Sequence, residues 1–583
     1  MIGWRQVEKQ ERKASEMENQ KLYDRIILKQ QIDKGWSKDK KYCVTTEDGR
    51  KYFLRITPEL DETKYEEMFY FQKKVHSFGV PTVEPVEFGR CGEGTYILET
   101  WTDGEDAEAV IPRLADSRQY ALGLEAGKYL KKIHQIPAPE NQQDWESRFN
   151  AKIDRKMRMY QECPVPFDGA EKCIDYINEN RHLLAGRPQT FQHGDYHIGN
   201  MLVADGALVV IDFDRYDFGD PWEEFNRIVW CAQAAPVFAS GIVNGYFDGT
   251  VPSEFWELLA LYICSNTLSS VCWAVPFGEG EIQKMLGQAK DVLAWYDNMK
   301  NPVPSWYFPG YYLQYIDGIP YKMKEFFDFG FISRYGKVFE VFDDQNSGNI
   351  CFGTEKDGEK YFVKFAGAPT EAYDGTSEDA IRWLKSTLPV YQDLEHKNLI
   401  RFVSSEEVGG GFAMTFQWME GFCMGRMYPE SHQKFMQMPV EDKLIVFRDI
   451  LDFLDYVAAS GYVAIDFYDG SVLYDDRQQK TTICDVDFFR KMPCKNDMGR
   501  MWGSSRFQSP EEFTRGADID EVTNVYTAGA FAFALFGGYE RTLEKWSLSE
   551  ALFCVVAKAT ADDRSKRQQS IHQLREEWGS AMI

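Results

Sequence analysis

Three side chains in one stretch of this 583-residue chain have the types and spacing to move a phosphoryl group: Asp195, Asn200 and Asp212, within FQHGDYHIGNMLVADGALVVIDFDRYDFGDPWEE at 191–224. Such a transfer asks little covalent chemistry of a protein. It needs a carboxylate beside the acceptor hydroxyl, and oxygen ligands that hold Mg²⁺ against the phosphates. Asp195, in the loop opened by His193-Gly194, is placed for the first task. Asn200 and Asp212 suit the second, because a hairpin turning at Asp205-Gly206, with Leu202-Val203 and Val209-Val210-Ile211 as arms, returns Asp212 to Asn200. His193 and His197 could also be read as metal ligands. No Glu follows the first as in a zinc HExxH helix, and Gly194 and Gly199 argue for a loop. Asp220 and Arg215 read as braces of that loop rather than reacting groups.

The series His-Gly-Asp-x-His-x-x-Asn, then Ile-Asp-Phe and Gly219-Asp220-Pro221, resembles the aminoglycoside phosphotransferase family of small-molecule kinases, whose fold is similar to that of the protein kinases. The resemblance implies ATP as donor, with GTP as an alternative, Mg²⁺ as cofactor, and a small-molecule hydroxyl as acceptor. It casts Asp195 as the catalytic carboxylate and Asn200 and Asp212 as metal ligands. The acceptor is expected to be an aminoglycoside-like antibiotic or a related amino sugar or amino alcohol, with choline or a sugar as the housekeeping alternative. Gly194 stands where protein kinases place an Arg that answers to an activation-loop phosphate, which favours a constitutively formed centre acting on a small molecule.

The elements that must position these residues begin near residue 21, after a polar, helix-prone segment at 1–20. A strand, the turn Gly35-Trp36-Ser37 and a returning strand can lay backbone N–H groups over phosphates, with Ser37 among the nucleotide contacts. A cation on the third strand, Lys51 to Ile56, can reach the same phosphates. The family usually places Lys or Arg there, and here it is Arg55. Its acidic partner is expected from the following helix, at Glu67 or alternatively Glu66, although a helix-surface carboxylate with no role is the competing reading. The strand running to Trp101 stands where the family has its hinge, and backbone groups from Glu99 to Trp101 are the expected adenine contacts. Helical patterns over 118–136, 140–190 and on to 299 supply the acceptor wall. Glu223 and Glu224 could meet a cationic acceptor, or simply begin a solvated helix.

A Pro- and aromatic-rich connector at 301–323 is followed by the same plan again. Gly358 to Phe365 lies beside Gly49 to Ile56, Tyr462 to Leu473 mirrors the first loop, and Ile483-Cys484-Asp485 mirrors Ile211-Asp212. This half, 324–583, resembles a divergent bacterial serine/threonine protein kinase, with Ser509-Pro510-Glu511 in place of Ala-Pro-Glu and Arg567 expected to pair with Glu511. Lys364, Asp466, Ser471 and Asp485 then take the roles of strand lysine, catalytic Asp and metal ligands. The departures are several: Ala464-Ile465 replaces His-Arg, Ser471 replaces Asn, and Asp485-Val486-Asp487 replaces Asp-Phe-Gly. A helix Glu is missing too, since its expected position holds Thr387. An active kinase with a protein substrate and a catalytically silent platform both remain open. The fold expectation is α+β, two tandem bilobal protein-kinase-like domains at 21–300 and 324–583.

Composition agrees. A net charge of −25 and a pI near 4.9 disfavour a broad nucleic-acid surface. Twelve cysteines without a CxxC pair read as reduced thiols, which points to the cytosol. The most apolar runs, 254–277 and 528–536, are too polar or too short to span a bilayer and read as core helices, so no membrane partner is expected.

Overall fold

A computed structural model describes residues 21–32, 39–58 and 62–582; the 1–20 segment and Ser37 lie outside the described residues. The chain divides into two compact units, Met1–Leu313 and Gln314–Ile583.

The first unit opens with an antiparallel sheet of β1 (Ile26–Gln31), β2 (Lys40–Thr46), β3 (Lys51–Thr57), β4 (Pro85–Cys91) and β5 (Gly94–Thr100), in the order β1-β2-β3-β5-β4. Between β3 and β4 runs helix α1 (Glu62–Ser77). Alternation decides which way β3 faces: Tyr52, Leu54 and Ile56 bury into a small cluster with Val44, Tyr96 and Leu98, so Arg55 points from the opposite face. The helical lobe follows, with the hairpin strands β6 (Met201–Ala204) and β7 (Ala207–Val210) and the helices α2 (Asp116–Ile133), α3 (Trp145–Gln161), α4 (Ala170–Asn180), α5 (Pro236–Tyr246), α6 (Ser253–Ala274) and α7 (Glu279–Trp295). Helices α2 and α5 pack glycine to glycine. A Cβ on Gly127 would stand 2.1 Å from the Ile242 carbonyl and one on Gly245 2.2 Å from the Leu124 carbonyl, so no larger residue fits this crossing.

Among the described residues one helical stretch, Ser253–Phe277, is long and apolar enough to cross a membrane. Its Phe255, Leu258, Leu259, Leu261 and Ile263 are buried in the core of the unit. The twelve cysteines are all free.

The expected connector is packed, not free. Trp306 and Tyr307 join the first unit's core, while Tyr321 and Met323 join a core of the second.

The second unit repeats the order of elements. Strands β8 (Lys337–Phe342), β9 (Asn349–Lys356), β10 (Glu359–Ala366), β11 (Phe402–Val408) and β12 (Gly411–Gln417) pair as β8-β9-β10-β12-β11, with helix α8 (Ser377–Asp393) between β10 and β11. Val363 and Phe365 are buried on one face of β10, which turns Lys364 to the other. A helical body built on α9 (Val440–Ala459) and the almost wholly buried α10 (Glu521–Phe536) completes it.

Candidate active site

The loop carrying Asp195 is held by backbone and buried side chains. Gly194 adopts φ +84°, and a Cβ there would fall 1.8 Å from the Arg215 carbonyl oxygen, so the glycine is required by the returning chain. Its N–H donates to both oxygens of Glu224, at 2.9 and 3.2 Å. The His193 ring bonds the Ile211 carbonyl at 3.0 Å. The Asn200 amide donates to the Asp195 carbonyl at 2.9 Å, tying the two ends of the loop.

The hairpin after Asn200 pairs Met201–Ala204 with Ala207–Val210, and both turn residues, Asp205 and Gly206, take positive φ. Val210 donates to the Pro81 carbonyl at 2.9 Å and Ile211 to the Asn200 carbonyl at 3.0 Å. Those two bonds deliver Asp212, itself at φ +69°, beside Asn200 and beneath β3. Arg55 meets it there: Nη2 lies 2.5 Å from Asp212 Oδ1 and Nη1 3.1 Å from Asp214 Oδ2. Burial opposes the Arg55 charge, but Asp212, Asp214 and Glu99 outweigh it and raise its pKa. Burial likewise works against the Asp212 carboxylate, yet Arg55 and Lys41 hold it at about 2.

Around Asp195 the charge is positive. Arg227 Nε stands 3.2 Å, His197 Nε2 3.6 Å and Arg215 Nη1 3.7 Å from its carboxylate. Gly199 N–H donates to His197 Nδ1 at 3.0 Å, which leaves Nε2 as the protonated nitrogen facing Asp195. Burial would raise the Asp195 pKa; His197, Arg227 and Arg215 reverse that and hold it well below the usual carboxylate range.

Several sequence expectations are corrected here. Glu67 does not partner Arg55; it accepts a hydrogen bond from Tyr216 at 2.8 Å. The inward positions of α1 are Tyr65, Met68, Gln72 and Val75, and Gln72 donates to Glu99 Oε1 at 2.6 Å. Periodicity along the helix would have selected Gln72. Glu99 was expected to contribute backbone, but its side chain is buried near Arg55 and its pKa is raised, by burial first. Trp101 sits just past β5 with its indole N–H on Asp103 at 2.7 Å. Glu223 and Glu224 do not start a solvated helix: both are buried, Glu223 against Lys152 at 2.9 Å and Glu224 against the Gly194 N–H. Arg215 faces Asp195 and is not a brace. Asp220 is one, clasped by both ends of Arg187 at 2.7 and 2.9 Å and by Tyr262 at 2.6 Å. Arg227, Lys41 and Asp214 were missed; of the three only Asp214 carries a local signal, the Asp-x-Asp it forms with Asp212.

A model of the phosphotransferase enzyme family (APH) matches residues 30–256. Residues 30–256 form a phosphotransferase domain. The protein is accordingly a kinase-type enzyme, and this domain holds Arg55, Asp195, Asn200 and Asp212 together. No curated protein matches the chain. Solved structures of aminoglycoside phosphotransferase APH(4)-Ia align with part of this chain. One covers 47% of this chain and 95% of its own at 18% identity and a TM-score of 0.37. The apo form of a thermostable mutant covers 47% and 96% at 17% identity and 0.37, and a ternary complex with ADP and hygromycin B covers 46% and 94% at 17% and 0.36. Likenesses of that size carry no weight for the function of this chain.

The second unit has its own version of the arrangement. Cys484 donates to the Ser471 carbonyl at 2.9 Å, Ile483 to the Asn398 carbonyl at 2.6 Å, and Asp485 takes φ +60°. Lys364 Nζ lies 2.7 Å from Asp487 and 3.3 Å from Asp485, and Tyr391 of α8 donates to Asp487 at 2.7 Å. Thr387 bonds within its own helix. The Ser471 hydroxyl is buried without a hydrogen-bond partner among the described residues. Arg567 and Glu511 form the expected pair, bidentate at 2.7 and 3.0 Å and buried. Asp466 pairs with no cation among the described residues. Burial, Asp485, Asp487 and Glu512 push it up to about 7.

Proposed function

We propose that the first unit transfers the γ-phosphoryl group of ATP to a hydroxyl of a small molecule. The observation that carries this reading is the convergence of Asp195, Asn200 and Asp212, fixed by the Asn200–Asp195 and Ile211–Asn200 hydrogen bonds within a domain matching the phosphotransferase family. Asp195, kept ionised by its cations, accepts the hydrogen bond of the acceptor hydroxyl and orients it for in-line attack. A carboxylate of low pKa serves here, because in a loose transition state the proton leaves late. Arg55 steadies Asp212 and the donor phosphates.

The donor set fits Mg²⁺. Asp212 and Asn200 offer hard oxygen ligands brought side by side by the hairpin, and Mg²⁺ ordinarily takes one or two protein oxygens and fills its remaining positions from phosphates and water. When bound, the ion neutralises charge on the phosphates.

The second unit is read as a protein-kinase-like module, on its matching strand order, the Lys364–Asp485–Asp487 contact and the buried Arg567–Glu511 pair. With Asp466 in acidic surroundings, phosphoryl transfer is assigned to the first unit. The test is label from γ-labelled ATP, with Mg²⁺ and an acceptor panel, in wild type and Asp195→Asn. Label on a small molecule that disappears in Asp195→Asn supports the reading, and label that persists removes Asp195 from it.

A further inference from the structure

The surroundings of Asp195 also bear on what the acceptor is. Two guanidinium groups, Arg227 and Arg215, face this single carboxylate, and neither pairs with another carboxylate among the described residues. Arg215 is half exposed, so its charge lies at the mouth of the site.

On α3, Lys156 stands one turn beyond Lys152, and while Lys152 is tied to Glu223, Lys156 has no ion-pair partner among the described residues. Burial and the positive charges of Lys152, Arg227 and Arg155 push its pKa down to about 7, against the pull of Glu223. Two guanidiniums sharing one carboxylate leave positive charge that an anion can answer.

Four carboxylates around the loop are engaged. Glu223 takes Lys152 and Gln192, Glu224 caps Gly194, Asp220 holds Arg187, and Asp217 pairs with Arg148. Glu108 is exposed and approaches the loop at Gly199, with the His197 ring against the same glycine. In a chain of net charge −25, this local excess of positive charge runs against the composition.

Resting on the phosphotransferase reading above, we propose that the acceptor is a small molecule bearing an anionic group, a carboxylate or a phosphate monoester, which Arg227 and Arg215 receive while its hydroxyl meets Asp195. Guanidinium forks recognise both kinds of oxyanion in bidentate fashion. The hydroxyl oxygen forms the new bond to the γ-phosphorus as the bond from that phosphorus to the β-bridging oxygen breaks. ADP leaves with the electron pair, and the hydroxyl proton passes to Asp195 and then to water.

The full-length protein is given γ-labelled ATP, Mg²⁺ and matched acceptors: aminoglycosides and amino alcohols, neutral sugars, the corresponding sugar acids, and the corresponding sugar phosphates. Wild type is run beside Arg227→Gln and Arg215→Gln, with folding checked by thermal melting. The expected result is label on the acid or phosphate arm at a kcat/KM at least about tenfold above the neutral skeleton. Each variant should raise the acceptor KM by about tenfold, the scale of one charge-assisted hydrogen bond, with the KM for ATP within about twofold of wild type. The arm that takes label separates carboxylate from phosphate. Label on a cationic acceptor, with KM unchanged or lowered in both variants, overturns the anionic assignment and leaves the phosphotransferase reading standing. Label on no small molecule, from folded protein, overturns both.

Discussion

Asp195 and Asp466 occupy the same place in two units of like strand order, each five residues before a polar side chain, Asn200 or Ser471, and each near an Asp at positive φ. Their surroundings are opposite. Asp195 faces Arg227, Arg215 and His197 and is held far down the acid range; Asp466 faces Asp485, Asp487 and Glu512 and is pushed up to about 7. The strand cation makes the same contact in both, Arg55 with Asp212 and Asp214, Lys364 with Asp485 and Asp487. Shared backbone thus leaves the chemistry undecided, and the charges brought by distant elements decide it.

The comparison can be broken at several points. The largest effect is expected from Asp195→Asn, which removes the oriented carboxylate and should lower kcat by about 10²–10⁴-fold while nucleotide binding persists, checked by steady-state kinetics and ATP titration. Because Asp195 stays ionised, it should contribute no acid limb to the rate profile between about pH 5 and 8; an inflection in that window that vanishes only in Asp195→Asn would contradict its assigned environment. Next, Arg567→Met strands Glu511 as a buried unpaired carboxylate and should destabilise the second unit by about 3–5 kcal/mol, read from denaturant unfolding.

A smaller effect concerns pH. Asp466 binds its proton more tightly folded than unfolded, so its contribution to stability is complete below about pH 4 and is lost as pH rises through about 7. Asp466→Asn cannot ionise. Relative to wild type it should gain roughly 1–3 kcal/mol between pH 4 and 7.5, a modest figure because the group is only partly buried. A difference that stays flat with pH would contradict the acidic surroundings. Smallest of all, Glu67→Gln should leave the KM for ATP within about twofold, since Glu67 serves Tyr216 at the surface and not Arg55.

Much of this was legible in the residues. The Asp205-Gly206 turn and its apolar arms sufficed to bring Asp212 to Asn200, and alternation along β3 and β10 sufficed to turn Arg55 and Lys364 away from the small cores. The helix partner was misread because Glu67 was chosen for its charge, whereas the spacing of Tyr65, Met68 and Val75 puts Gln72 inside. Glu223 and Glu224 look solvent-exposed in sequence, and only the fold reveals that Lys152 and the Gly194 N–H are there to satisfy them. Arg227 arrives at Asp195 from beyond the loop, an approach with no local signature. Asp214 and Asp487 did have one, the Asp-x-Asp repeated in both halves.

The account turns on which of the two matched carboxylates works. Purified protein with γ-labelled ATP, Mg²⁺ and the acceptor panel, run as wild type, Asp195→Asn and Asp466→Asn, decides it. The result predicted is label on a small molecule, lost in Asp195→Asn and retained in Asp466→Asn. Label found only on protein, lost in Asp466→Asn and retained in Asp195→Asn, would contradict the account and make the second unit the enzyme.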